Sequence, residues 1–355
     1  MNIFLLNIAL ILILAFLLYH KGHVNLKNRD QFFLFIAFAV LYITHAFKDP
    51  FSLLDTPEYV DGYIEVKNRG IGELMRGGLY SLKAEKGYVI LTKIISYFFP
   101  ANQMLFIFTS FIILLGYYVA FKRYSLIPWL AVLLFVIGGY NQSLFVLRQH
   151  MAMSIVLFSY PYIINRRFMP FLFYVLIAFF IHQTAVIFLP IYFLYGIKKK
   201  ILIIPIYFML GFILILFMQS GLELVLLYFD GYEGYVKGID SAEGQNWKMS
   251  GLLVMILLFR IYVMKRHIFD IGIDRLLTHI LLFGCIMSIA GIGFVPISRL
   301  NMYYTEMTCL IFPNTLYYVK KNNLKWLCGC GFFLFLFYLY LNNLIEMSNY
   351  RFIWE

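Results

Sequence analysis

Residues 103–121 read QMLFIFTSFIILLGYYVAF and are followed at once by Lys122-Arg123. No charge interrupts this run. As a helix rising 1.5 Å per residue it is long enough to cross a hydrocarbon layer about 30 Å thick. A surface helix of a soluble protein would carry a polar face, and this one is apolar all round. The basic pair at its end marks a segment that stops at the cytoplasmic surface. Outward from it, comparable runs occupy 2–19, 31–47, 126–141, 147–165, 169–181, 184–197, 201–219, 250–264, 276–295, 301–319 and 326–342. The pattern predicts an all-α, polytopic integral membrane protein: one transmembrane domain over 1–355 with about twelve transmembrane helices.

Composition excludes the other classes. Apolar residues make up 62% of the chain and charged residues 13%, with a mean hydropathy of +0.81. A soluble chain carries about 25% charge, and its exposed shell must be wettable. The net charge of +11 is read as a topology signal rather than a nucleic-acid footprint. Cys285, Cys309, Cys328 and Cys330 lie in apolar stretches, and Cys328-Gly-Cys330 lacks the two-residue spacer of a redox or zinc motif. They are read as packing residues.

Charge sets the orientation. The chain starts Met1-Asn2-Ile3 with no base, and Lys21, Lys27 and Arg29 follow the first run. It is therefore expected to be a retained span rather than a signal peptide, with the N-terminus outside. An even number of spans places the C-terminus outside too. The inner loops then hold 17 of the 29 bases but only three of the 18 acids, leaving 12 and 15 for the outer side. Residues 88–99 are too short to span and are expected to form an interfacial or re-entrant helix. Residues 168–197 are too few for two full spans, so a hairpin of two short helices is expected, its tip near His182. Two extracytoplasmic loops, 48–86 and 220–249, collect acids, tyrosines and glycines.

Ionisable groups inside or beside apolar runs are costly and therefore informative. Arg148-Gln149-His150 follows Leu147 and opens an apolar run on the outer side. Such an arginine can snorkel to head groups; its planar fork also suits a phosphate. Arg299 lies between two spans, again outside, with Tyr303, Tyr304 and Glu306 downstream on a shared face. Two outer arginines flanked by apolar helices suit a pyrophosphate. His182 interrupts an apolar run, where it could pack, hold phosphate or serve as a base. Asp55-Thr56-Pro57-Glu58-Tyr59 and Glu85-Lys86-Gly87-Tyr88 supply carboxylates for sugar hydroxyls and rings for sugar faces. Neither a phosphate-binding glycine loop nor metal-ligand spacing occurs.

These residues, in this order, resemble the EpsG family, a Wzy-like group of exopolysaccharide and capsule polymerases. The resemblance runs from Asp55-x-x-x-Tyr59 through Glu85-x-Gly87-Tyr88, Arg148-Gln149 with Ala152 and Ser154, and Arg166-Arg167. It continues through Ala178-x-x-x-His182-x-Thr184-Ala185, Pro190, Tyr192 and Arg299-x-x-x-Tyr303 to Pro313. His150 and residues 220–249 fall outside the pattern. The resemblance implies a membrane-embedded glycosyltransferase that joins undecaprenyl-pyrophosphate-linked oligosaccharide units at the outer face of the cytoplasmic membrane. It implies neither cofactor nor metal. As protein partners it suggests the flippase and the chain-length regulator of the same pathway. His182, then Asp55, then Glu85 are the candidate bases. Arg148, Gln149, His150, Arg299, Tyr59 and Tyr303 are the candidate substrate-binding residues. A lipid-linked-oligosaccharide flippase, a membrane acyltransferase and an O-antigen-ligase-like transferase are the rivals. The first should show matched halves, and the second an inner-face histidine site.

Overall fold

The computed structural model describes residues 2–20, 28–53, 55–197, 200–213, 246–270, 272–291, 295–320, 322–341 and 347–354. Most of the 220–249 segment lies outside them. In chain order the helices are α1 (Ile3–Tyr19), α2 (Arg29–Ala46), α3 (Thr56–Asn68), α4 (Ile71–Gly77), α5 (Lys86–Phe98) and α6 (Gln103–Tyr124). Then come α7 (Pro128–Phe135), α8 (Asn141–Ser143), α9 (Leu147–Leu157), α10 (Tyr160–Ile164), α11 (Phe168–Ile181) and α12 (Leu189–Tyr195). The last are α13 (Ile203–Ile213), α14 (Asn246–Met264), α15 (Ile273–Ala290), α16 (Val295–Thr305), α17 (Thr308–Tyr317) and α18 (Asn322–Leu339). The only β pairing among the described residues is an isolated bridge between Lys48 and Phe352. Gln103–Tyr124, Trp247–Met264 and Ile273–Ala290 are long and apolar enough to cross a membrane. Among the described residues five further apolar helices are shorter.

Several expected spans are broken, for local reasons. The run 126–141 is not one of them: the helix continues over 128–143, with a π-helical turn at Val136–Tyr140 between α7 and the short α8. Gly138-Gly139 lies in that turn, where intrinsic helix propensity is lowest. The run 147–165 splits into α9 and α10. Pro161 has no N–H, and its ring opposes the carbonyl of Leu157, where α9 ends. The run 301–319 is also two helices, and Arg299 lies inside α16 rather than between spans. The 48–86 segment is no open loop, since it holds α3 and α4.

The chain divides into two compact units. The first comprises Met1–Tyr160, Met169–Val186 and Leu327–Glu355. Within it α6 packs against both α2 and α9. Gly116 makes the second contact possible: a Cβ there would stand 2.2 Å from Ser154 Oγ and 2.4 Å from its carbonyl oxygen. Phe38, Tyr117, Phe121 and Phe135 form an aromatic core, with Tyr117 stacked on Phe135 at 4.4 Å. Phe16, Phe35 and Phe111 point outward, more than half exposed, as suits a lipid-facing surface.

At one end of this unit α3 and α5 pair. Lys93, almost fully buried, donates to the carbonyls of Val66 and Arg69 at 2.8 Å, the free carbonyls at the end of α3. Tyr63 donates to Phe99 O at 2.7 Å, and Lys67 to Asn102 Oδ1 at 2.7 Å. Glu65 accepts from Tyr80 N, Ser81 N and Ser81 Oγ, and pairs with Arg69. The acids of this segment are thus partly structural. The chain's end returns here as well. Asp49 N donates to Arg351 O at 2.8 Å, Ile353 N to Phe47 O at 3.0 Å, and Tyr350 Oη to Thr44 O at 2.6 Å.

The second unit comprises Pro161–Phe168 and Ile187–Trp326. Helix α15 packs against α12, α14 and α16. Arg260 is fully buried in α14. It donates to Thr278, Thr315 and Asp274 at 2.7–3.0 Å. The guanidinium of Arg166 lies over the Tyr192 ring at 4.1 Å and donates to the Tyr192 carbonyl.

Candidate functional site

Three sequence-distant residues meet in the first unit. Glu85 immediately precedes α5, Arg148 is in the first turn of α9, and His182 follows the last residue of α11. Glu85 Oε1 lies 2.7 Å from His182 Nδ1 and accepts from Gln183 N at 3.1 Å. Glu85 Oε2 accepts from Arg148 Nη1 at 2.7 Å. All three side chains are less than one-fifth exposed.

Close approach of backbone makes the meeting possible. Gly87 sits in the first turn of α5 against the end of α11. A Cβ on Gly87 would lie 2.5 Å from the Phe180 carbonyl oxygen and 2.6 Å from Phe180 Cβ. Only glycine admits that contact, and it sets Glu85 at bonding distance from His182. Aromatic rings close the other side. The Arg148 guanidinium carbon is 6.0 Å from the Tyr88 ring centroid, and Tyr88 meets Tyr59 edge-on at 6.3 Å. The Tyr59 hydroxyl is hydrogen-bonded to Arg148. Burial pushes the Tyr59 phenol up, so it stays protonated.

Electrostatics fix the protonation of the carboxylate. Burial alone would raise Glu85, but the hydrogen bond and charge of His182 and the charge of Arg148 outweigh it, and Glu85 is held down at about 2. An ionised carboxylate only accepts, so His182 Nδ1 carries the proton it donates to Glu85. In the neutral ring Nε2 is then the basic atom. This is the arrangement of an oriented general base.

Glu65 is likewise held at about 2: burial opposes, and the Tyr80 and Ser81 N–H groups, the Ser81 hydroxyl and Arg69 prevail. Both carboxylates are lowered from an ordinary 4.5, so the stability they contribute is complete above about pH 4.5 and lost as pH falls towards about 2. Thermal unfolding of the purified protein should show that decline, and E65Q should flatten it. A flat profile between pH 5 and pH 3 would contradict both assignments.

The remaining sequence candidates are placed as follows. Asp55 precedes α3, close enough to Tyr59 to act on its phenol. Gln149 and His150 are buried behind Arg148, and His150 Nδ1 donates to Val146 O at 2.8 Å. Arg299 and Tyr303 share a face of α16 in the second unit, Arg299 partly exposed and Tyr303 buried. Sequence reading overlooked His45 and Lys48. His45 is fully buried, with Nδ1 2.6 Å from Ser110 Oγ and Nε2 3.0 Å from Ser143 O. Among the described residues no three His, Cys, Asp or Glu side chains form a metal-holding group.

Comparison with known families matches residues 31–354, nearly the whole chain, to the family described as EpsG family. No curated protein and no solved structure matches.

Proposed function

The chain belongs to the EpsG family, and from that premise we propose that it is a polysaccharide polymerase acting on undecaprenyl-pyrophosphate-linked oligosaccharide units. The acceptor hydroxyl oxygen attacks the anomeric carbon of the growing chain. The bond from that carbon to the diphosphate oxygen breaks, and undecaprenyl diphosphate leaves. The hydroxyl proton passes to His182 Nε2. Glu85, bonded to Nδ1, orients the ring and favours the imidazolium that results. It is a positioning residue in this reading rather than a base in its own right. Arg148 and Arg299 are assigned to the diphosphate, whose charge grows as it departs. Tyr59, Tyr88 and Tyr303 are assigned to sugar faces. No metal or cofactor is invoked, because the diphosphate already activates the donor.

The observation that carries the proposal is the Glu85–His182 pair held beside Arg148. A flippase needs a cationic site for the diphosphate but has no use for an oriented base. A ligase acting on the same donor would use the same groups, and the acceptor alone separates it from a polymerase. The accompanying topology has about twelve crossings of the cytoplasmic membrane with both termini outside. The pairing of residues 351–353 with 47–49 supports a C-terminus on the side of the 48–86 segment. The expected partners are the lipid-linked oligosaccharide, the flippase and the chain-length regulator.

Purified protein supplied with synthetic lipid-linked units should lengthen them without added nucleotide. In cells, Arg148→Ala and Arg299→Ala should each abolish polymer while the protein still inserts and single lipid-linked units accumulate. Polymer of wild-type length from either variant would remove that arginine's assignment to the diphosphate. Movement of intact units between leaflets without elongation would favour the flippase.

A further inference from the structure

Buried cations in this protein are otherwise well matched. Arg260 has hydroxyls, a carbonyl and a carboxylate around it, and Lys93 has the carbonyls that end α3. Lys48, just past α2, is different. Its side chain is fully buried, and its Nζ has no hydrogen-bond partner among the described residues. Its Nζ lies 4.9 Å from the Phe106 ring centroid. An aromatic face repays only part of the cost of taking an ammonium out of water. The neighbouring charges do not help. Lys48 and His150 are each close enough to His45 to act on its ring, and both are basic. Gln103 donates to the carbonyls of Ala46 and Lys48, while its own Oε1 is buried without a partner.

The residues named around Lys48 carry no counter-charge, and from nearby His45 a hydrogen bond reaches the segment that leads into α9. His45 Nε2 is bonded to Ser143, five residues before Arg148 on the segment that leads into α9. Arg148 Nε is itself buried without a hydrogen-bond partner. We infer that Lys48 is the counter-cation for an anionic oxygen group of the substrate: without ligand its buried amine has no partner, and the bound oxyanion supplies one that favours the ammonium form. The inference rests on the reading that lipid-linked oligosaccharides are the substrate. The shared chemistry is an oxyanion, supplied either by the carrier diphosphate or by the carboxylate of an acidic sugar. Access requires a neighbour to move. The 350–354 segment, paired to 47–49 by backbone bonds at its edge, is the one so placed.

The test uses the full chain in lipid nanodiscs, with inorganic pyrophosphate and D-glucuronate as separate probes and binding and thermal midpoint as readouts. The wild type should bind one of the two and be stabilised by it. Lys48→Met should melt above the wild type without ligand, because a buried amine without a partner is gone, and should bind that probe at least tenfold more weakly. Lys48→Arg should retain binding. Which probe responds identifies the source of the oxyanion. Should Lys48→Met not accumulate, Lys48→Gln serves for the binding arm. Unchanged binding of both probes in the variant, or binding of neither by the wild type, overturns the inference. Neither readout involves sugar transfer. A protein that binds an oxyanion through Lys48 yet lengthens no chain would therefore sink the polymerase reading alone.

Discussion

His182→Gln is expected to slow sugar transfer by about 10²–10⁴-fold, the range in which a positioned general base contributes, with little change in the protein's thermal midpoint. The side chain sits at the end of α11, and glutamine comes close to it in volume, so the substitution opens no core cavity. An amide at this position can still donate to Glu85 but has no basic atom to accept the acceptor's proton. Glu85→Gln should behave differently. It removes the charge that Arg148 pairs with, and its single carbonyl oxygen can accept from His182 or from Arg148 but not from both. Breaking a largely buried pair by removing one partner leaves an uncompensated charge, so this variant should lose both rate and stability. The rate is measured by elongation of synthetic lipid-linked units at saturating substrate. His182→Gln within threefold of the wild type would end the base assignment. An equal loss of midpoint in both variants would reduce His182 to packing.

How far the sequence could be read depends on the length scale of the cause. Apolar runs and flanking bases are properties of contiguous residues, and the helical class follows from them because lipid offers the backbone no other partner. Irregularities inside those runs were legible in principle: Pro161 forbids an unbroken helix through 147–165, and Gly138-Gly139 marks the π-helical turn within 126–141. Hydropathy outweighed those signals. Arg148 and His182 stood out because each interrupts an apolar stretch. That Glu85 joins them is a tertiary fact, separated by 63 and 97 residues respectively. Glu85-x-Gly87-Tyr88 already marks Glu85 as a candidate base, but nothing in that motif names His182 and Arg148 as its partners; Glu65, in the same segment, is spent on the Tyr80 and Ser81 amides. Lys48 was invisible for a similar reason: next to Asp49 in sequence it reads as a solvated loop charge, and only packing against Phe106 buries it.

Gly87→Ala should be as damaging to transfer as loss of His182 itself, though it touches no reacting group. The added methyl would meet the Phe180 carbonyl oxygen at 2.5 Å and Phe180 carbonyl carbon at 2.8 Å. Those are backbone atoms at the end of a helix, so no side chain can swing aside, and the start of α5 must retreat. Glu85, two residues earlier, retreats with it, and a 2.7 Å bond to His182 does not survive a shift approaching 1 Å. Misplacement on that scale costs about 10²-fold in rate, and overpacking adds about 1–3 kcal/mol of destabilisation. Gly72→Ala is the matched control. It lies in α4 of the same segment, and a Cβ there meets nothing within 4 Å. Helix propensity should make that variant neutral or slightly more stable. The signature sought is a fall in kcat for Gly87→Ala with binding of the lipid-linked unit retained, because Arg148 still has Tyr59 and Tyr88 beside it. Equal kcat in the two glycine variants would mean that the Glu85–His182 contact is not what the close approach of α5 to α11 serves.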